Sequence, residues 1–348
     1  MCLPGWPRVR LARYTRRGCV NATRCIKGEV KIVLPGGSGQ VGTLLARAFG
    51  GDGHEVVVLG RSASAGPWRS VTWDAKTLGP WAAELEGADV VINLAGRNVN
   101  CRYNAANRRE ILQSRVDSTR VLGEAIAGCA RPPRVWLQSS TATIYAHRFD
   151  APNDEATGII GGDEPGAPDT WRFSIEVARA WERAFEDAAV PHTRKVALRS
   201  AMVMSPDAGG VFHVLLGLVR RGLGGRSGNG RQYVSWIHHE DFTRAVRWLI
   251  GRDDFAGAVN LAAPGPLPNS DFMRVLREAW GTRVGLPATR WMLEIGAVFL
   301  RTETELILKS RRVVPGRLLE AGFDFRFPGW EEAAGELCGE WRGRRESA

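Results

Sequence analysis

Seven consecutive residues, Gly36-Gly37-Ser38-Gly39-Gln40-Val41-Gly42, place glycines where a chain must turn tightly and approach an anion through its backbone. They follow a β-branched run, Val30–Leu34, and open an amphipathic stretch, Val41–Phe49. In that setting Gly36 permits the turn, Gly39 lets the backbone meet a pyrophosphate, and Gly42 lets helix and strand pack closely. The free N–H groups and positive dipole end of the helix then face the phosphates. The chemistry is that of a dinucleotide site. After the second strand the chain reads Val58-Leu59-Gly60-Arg61-Ser62, without the Asp or Glu that would bond a ribose 2′-hydroxyl. Arg61 with Ser62 suits a 2′-phosphate, so NADP(H) is expected in preference to NAD(H).

Other residues could move a proton or hold a substrate. Thr141 and Tyr145 fall just past a predicted fifth strand, at the edge where open α/β sheets bind ligands. Tyr145 reads equally as a packing tyrosine. His238, at the end of Trp236-Ile237-His238, could titrate near neutral pH or could simply enter a helix. Gln232 and Arg231 follow a glycine-rich loop and could meet a polar ligand, and His147 is a weaker candidate. Four tyrosines occur (Tyr14, Tyr103, Tyr145, Tyr233), and none has a lysine four residues later. The six cysteines include no CxxC pair, so neither a disulfide framework nor a metal site is expected, and a reducing, cytoplasmic compartment fits.

These groups need a scaffold, and the chain supplies one from Glu29 onward. Apolar runs at Val30–Leu34, Glu55–Leu59, Val71–Trp73, Asp89–Leu94, Arg134–Ser139 and Arg194–Arg199 alternate with amphipathic stretches near Val41–Phe49, Trp81–Glu86, Ala106–Ala127 and Phe173–Ala188. This βαβα order predicts an α/β fold, a doubly wound parallel sheet of Rossmann type. The rhythm changes after about residue 205. Gly222–Gly230 holds five glycines in nine residues and reads as a mobile loop placed to act as a lid. A strand at Ala258–Leu261 and mostly helical sequence follow. The expected division is a basic extension over 1–28, a dinucleotide-binding domain over 29–205 and a smaller, mostly helical substrate lobe over 206–345.

Composition narrows the partners. With 348 residues, 44% hydrophobic and 24% charged, the chain is that of a globular protein, and no apolar run is long enough to span a membrane. The net charge of +10 is concentrated in residues 1–28, which carry seven Arg or Lys and no acid. That segment reads as a disordered extension, with organellar targeting as the alternative. The rest shows no basic stripe interleaved with aromatics, so nucleic acid is disfavoured as a partner.

Taken together, the glycine loop and Ser139-Ser140-Thr141-Ala142-Thr143-Ile144-Tyr145 resemble an extended-type short-chain dehydrogenase/reductase. More narrowly, the chain resembles the atypical, nucleoside-diphosphate-sugar-epimerase-like family with a C-terminal domain of unknown function. The residues behind that likeness include Trp73-Asp74, Asn93-Leu94-Ala95-Gly96, Ser114-Arg115 with Thr119, Trp181-Glu182, Ser235-Trp236-Ile237-His238 and Val314-Pro315. The resemblance implies that Asp74 lies near the adenine, Leu94, Ala95 and Gly96 beside the adenosine ribose, and Met202 and Val203 near the nicotinamide. It also implies that Thr141 orients a substrate oxygen, with Gln232, Trp236 and His238 on the substrate side. The superfamily's proton-passing Tyr and its Lys are replaced by Phe173 and Val177. Two functions follow from the likeness. One is an NADP-dependent oxidoreductase or epimerase with a rearranged acid–base set, acting on a nucleotide sugar or another carbonyl or hydroxy compound. The other is a binding module that holds NADP(H) without turnover. A monomer, or a homodimer through the long helices, is implied.

Overall fold

The structure, a computed structural model, describes residues 28–63, 65–289 and 305–346. The basic extension expected over residues 1–28 therefore lies almost wholly outside the described residues.

A seven-stranded sheet forms the centre, in the order β10-β6-β5-β4-β1-β2-β3. Its strands are β1 (Lys31–Pro35), β2 (Glu55–Gly60), β3 (Arg69–Thr72), β4 (Val90–Asn93), β5 (Val135–Thr141), β6 (Arg194–Ser200) and β10 (Gly257–Leu261). Every pairing in it is parallel. The inner strands are apolar at nearly every position because both faces are covered. On one face lie α1 (Gln40–Gly51) and α5 (His239–Ile250), whose Leu45, Phe49, Phe242, Val246 and Leu249 bury against Ile32, Leu34, Val58 and Leu198. On the other lie α2 (Ala105–Ala127) and α3 (Asp169–Glu186), with Val121, Leu122, Ile126 and Phe185 against Val33, Val91 and Trp136. The strand order reverses between β1 and β4, and the crevice at that point is where such sheets bind ligands.

A second lobe is helical. α4 (Val211–Arg220), α6 (Asn269–Trp280) and α9 (Trp330–Glu346) enclose Phe272 and Trp330, stacked at 4.1 Å, with Trp236 beside them. Two short pairs, β7 (Met202–Met204) with β9 (Trp236–His238) and β8 (Tyr233–Val234) with β11 (Leu267–Pro268), join the lobes. The short helices α7 (Glu305–Leu308) and α8 (Gly316–Glu320) and two 3₁₀ segments, Pro80–Leu85 and Ala142–Ile144, complete the described elements.

Two expectations change here. A division at residue 205 does not follow the layers, since α5 covers the main sheet and β10 is its edge strand, paired with β6. A short strand run and one amphipathic helix look alike in either lobe; only pairing decides. The Gly222–Gly230 segment is also no free lid among the described residues. Gly225 N–H donates to Leu286 O at 3.2 Å, Gly228 N–H to Ala288 O at 2.8 Å, and Ser227 N–H to Asn269 Oδ1 at 2.7 Å. A Cβ at Gly225 would lie 2.4 Å from Leu286 O, so glycine here serves close backbone approach.

Candidate active site

The loop between β1 and α1 is fixed by its backbone. Gly36 N–H donates to Leu59 O at 2.8 Å, and Gly37 N–H to Leu34 O at 3.0 Å. Gly36 has φ +74°, and a Cβ there would lie 2.6 Å from Ala95 N. A Cβ at Gly42 would lie 2.4 Å from Gly37 Cα. Both positions are closed to any side chain by the protein itself. Gly39 differs: it is exposed, its φ is −76°, and the nearest atom to an added Cβ is Gly36 O at 3.7 Å. The fold leaves room there that a side chain would fill, beside the free N–H groups of a 12-residue helix.

The facing wall is the turn after β4. Asn93, fully buried, donates from Nδ2 to Gln138 Oε1 at 3.0 Å and accepts from Ala95 N–H at 3.0 Å. Those bonds hold Leu94, Ala95 and Gly96 against the glycine loop. Between them opens a cavity of about 350 Å³ lined by Gln40, Val41, Leu94, Ser139, Met202, Val203, Val211 and Phe242, among others. The Gln40 Nε2 donor is buried there without a hydrogen-bond partner among the described residues. Sequence positions from the loop, the fourth strand and β7 thus converge on one cleft.

A second cavity, about 260 Å³, shares Leu94 and Ser139 with the first. Thr141, Thr143, Tyr103, Arg115, Ser174 and Glu305 bring polar groups to it; Phe173, Val177, Val99 and Trp181 bring apolar ones. Thr141 Oγ1 accepts from Thr143 N–H at 3.1 Å, which leaves its own proton available to the cavity. Phe173 and Val177 project from one face of α3, as their spacing requires, and Tyr103 packs edge-on to Phe173 at 5.2 Å. Ser174 bonds both Tyr103 and Glu305. Burial, with the Glu305 charge adding to it, pushes the Tyr103 phenol up to about 12, so it stays protonated and acts as a donor. Glu305 pairs with Arg311 at 3.5 Å.

Several expected site residues lie elsewhere. Tyr145 is 2% exposed and lines neither cavity. Its hydroxyl accepts from Arg199 Nη1 at 3.0 Å and donates to Asn260 Oδ1 at 2.9 Å, in a network where Arg199 also grips Glu182 at 2.8 and 2.7 Å. That commitment, with burial pushing its pKa up, makes it a packing tyrosine. His238 is fully buried and caps α5: Nδ1 accepts from Glu240 N–H at 3.2 Å, and Nε2 lies 2.8 Å from Glu336. Burial drops its pKa to about 3, so it is neutral, and the cap assigns the proton to Nε2. An imidazole so arranged has no lone pair free for a substrate proton or for a metal, although His239 and Glu336 are close by. Gln232, 3% exposed, donates from Nε2 to Ser227 O at 2.9 Å and Ile307 O at 3.3 Å. Trp236, with no exposure, is spent on the second lobe's core. His147 packs at a tilt against Trp171 and accepts from Ser310 N–H at 2.7 Å. Asp74 is exposed and accepts from the Thr77 hydroxyl at 2.6 Å, from Thr77 N–H at 3.0 Å and from Lys76 N–H at 2.9 Å, which holds its pKa down at about 2; it caps a local turn. Arg61 and Ser62 are exposed just past β2, and Arg61 has no bond or ion pair among the described residues.

Sequence reasoning missed Tyr103, Ser174 and Glu305. Ser174 and Glu305 are 131 positions apart, and no spacing signal connects them.

The glycine turn at the β1/β4 reversal lies in a stretch of the chain that matches a known family. Residues 32–262 match the NAD dependent epimerase/dehydratase family, and residues 288–337 match a domain of unknown function, DUF1731. The chain belongs to the NAD-dependent epimerase/dehydratase family. Within it, the chain is 33% identical over 305 residues to the epimerase family protein SDR39U1 of Bos taurus, covering 86% of this chain and 96% of that protein. It is similar to the crystal structure of human SDR39U1 with NADPH, at a TM-score of 0.77 and 30% identity, over 89% of this chain and 99% of that one. A nucleoside-diphosphate sugar epimerase from Corynebacterium glutamicum is 27% identical at a TM-score of 0.69, over 92% of this chain and 62% of that one. This family member carries its Rossmann sheet with the helical C-terminal region that the resemblance implied. Cys101, Cys129 and Cys338 are unpaired, and no described helix is long and apolar enough to cross a membrane.

Proposed function

We propose that the chain binds NADP(H) in the first cavity and exchanges hydride with a small carbonyl or hydroxy compound in the second. The observation that carries this reading is that the two cavities share Leu94 and Ser139 in their walls, with Thr141 lining the second. Gly36, Gly37, Ser38, Gly39 and Gly42, with the α1 N-terminus, would hold the pyrophosphate. Gln40, Val41, Met202 and Val203 would flank the nicotinamide, and Leu94, Ala95 and Gly96 the adenosine ribose. Arg61 with Ser62 selects the 2′-phosphate, because it is a cation at the strand end with no other commitment. That human SDR39U1 was crystallised with NADPH supports the same preference. When bound, the nicotinamide supplies or accepts a hydride.

The protein's own part is acid–base chemistry and positioning. Thr141 donates its hydroxyl proton to a substrate oxygen and orients it. Tyr103, held protonated, is the nearest phenol, and Ser174 with Glu305 links it to a carboxylate through which a proton can be replaced. Phe173 and Val177 keep that side of the cavity dry. The test is a panel of carbonyl compounds and nucleotide sugars with NADPH, followed by loss of its absorbance, with Thr141→Ala lowering turnover at least tenfold and leaving NADPH affinity unchanged.

The apolar pair at Phe173 and Val177 favours a second reading, a module that binds NADP(H) without turnover. Tight cofactor binding with no reaction across the panel, and no effect of Thr141→Ala, would select it.

A further inference from the structure

We propose that the second cavity recognises its ligand through a carboxylate held by Arg115, so that the substrate class is a compact hydroxy or oxo acid rather than a nucleotide sugar. This rests on the reading of that cavity as the substrate site.

Arg115 projects from the middle of α2 into the cavity wall. Its guanidinium lies over the Trp181 ring at 5.0 Å. Nη1 donates to Arg97 O at 3.1 Å and Ile111 O at 3.0 Å. Those two bonds fix the plane of the group and use up one nitrogen. No carboxylate pairs with Arg115 among the described residues, and its Nε and Nη2 donors carry no hydrogen bond there. Burial accordingly pushes its pKa down to about 10, which still leaves it charged.

An arginine that is shielded from water without an anion is costly, because the charge loses its hydration with nothing to replace it. Two other buried arginines do have one, Arg199 with Glu182 at 2.7 Å and Arg311 with Glu305 at 3.5 Å, whereas Arg194 spends its fork on three backbone carbonyls. Glu305 is thus already committed to Arg311 and Ser174 and does not neutralise Arg115. Among the described residues, Arg115 is the cation left over on this wall.

The free part of the guanidinium names the ligand. Nε and Nη2 form one edge of the fork, two parallel N–H donors whose spacing matches the two oxygens of a carboxylate. The turn after β4 runs close against the guanidinium: a Cβ at Gly96 would lie 3.2 Å from Arg115 Cζ. Phe173, Val177 and Val99 surround the site with apolar surface, where such a pair is stronger than in water. The cavity's roughly 260 Å³ falls below the ~300–1,000 Å³ usual for larger ligands, which favours a small acid.

The test is calorimetric titration of the full chain, saturated with NADP⁺, with acids and their neutral amides: propionate against propionamide, 2-hydroxybutyrate against its amide, benzoate against benzamide. UDP-glucose is titrated beside them. At least one acid is expected to bind roughly tenfold or more tightly than its amide. Arg115→Gln should erase that difference and Arg115→Lys keep part of it, with NADPH affinity changed by less than about threefold in both. The proposal is overturned if no acid binds, if acids and amides bind alike, if UDP-glucose binds where the acids do not, or if Arg115→Gln weakens NADPH as much as the acids. Should that variant fail to fold, the acid–amide comparison on the unaltered chain decides. Turnover of neutral carbonyls with no preference for acids would sink this inference and leave the hydride-exchange reading standing. Arg115-dependent acid binding without any hydride exchange would do the reverse.

Discussion

Replacing the loop glycines one at a time separates what the fold requires from what the ligand requires. At Gly36 an alanine must adopt φ +74° and place its Cβ 2.6 Å from Ala95 N. The left-handed conformation costs about 1–2 kcal/mol, and forcing a methyl into packed backbone costs about 1–3 more. Gly36→Ala should therefore lose roughly 2–5 kcal/mol of stability, a drop in Tm on the order of 5–15 °C. At Gly39 the same methyl meets nothing nearer than Gly36 O at 3.7 Å, on a backbone at φ −76° and ψ 171° that any residue adopts. The entropic gain of removing a glycine, about 0.4–1 kcal/mol, roughly offsets the poorer helix cap. Gly39→Ala should leave Tm within a few degrees of the parent, roughly 1 kcal/mol either way. Its methyl would stand between the backbone N–H groups and a pyrophosphate, and each charge-assisted bond lost is worth about 1.5–3 kcal/mol. NADPH affinity should fall by roughly tenfold to a hundredfold. Thermal melting followed by fluorescence together with a titration of NADPH emission measures both quantities. A stable Gly39→Ala protein that binds NADPH as tightly as the parent would refute the placement of the pyrophosphate. An unchanged Tm for Gly36→Ala would refute the steric argument.

Three further outcomes follow from the geometry. Arg61→Glu should reverse the cofactor preference, weakening NADPH by tenfold or more through repulsion of its 2′-phosphate and sparing NADH; equal losses for both would count against that role. Tyr145→Phe should cost about 1–3 kcal/mol, since it strips a partner from Arg199 and Asn260, and should leave NADPH affinity alone; a loss of affinity in a stable variant would return Tyr145 to the site. Glu336, which burial and the Glu340 charge raise from 4.5 to about 7, holds a proton in the folded state that the unfolded chain releases, so it contributes stability at low pH that is lost between about pH 4.5 and 7. Glu336→Gln should thus be more stable than the parent at pH 8, by about 1–3 kcal/mol after discounting for partial exposure, and nearly equal at pH 4.5. Urea denaturation at the two pH values checks this, and an effect independent of pH would refute it. His238 has the opposite sign, since a neutral buried imidazole loses stability as pH falls below 6.5.

The local pattern carried much of the fold. The run of apolar strands from Ile32 to Leu198 could only be a sheet covered on both faces, and the structure covers it so. One helix, expected near Trp81–Glu86, is a short 3₁₀ segment, Pro80–Leu85, because proline starts it and Gly87, at φ +69°, ends it. The apolar stretch from Tyr233 to His238 divides into β8 and β9, which pair with different partners. Pairing is a property of residues far apart in the chain, and no window of sequence contains it.

The same limit divides the site. Glycine spacing is local, since a turn, a helix start and a β-branched strand are consecutive, so the tight turn at Gly36–Gly42 between β1 and α1 could be read from the sequence alone. The replacement of the superfamily's Tyr and Lys by Phe173 and Val177 was equally visible, because four residues on one helix face keep their spacing. Which polar groups meet those two residues was decided only in three dimensions. Tyr103 comes from the loop before α2, Arg115 from α2 itself and Glu305 from α7, and the fold brings them to one wall. Tyr145, His238, Gln232 and Trp236 looked suited to chemistry by type and place in the sequence, and burial with full hydrogen bonding took each of them away. A residue's type fixes what it can do; whether its polar atoms are left free to do it depends on neighbours that the chain order does not reveal.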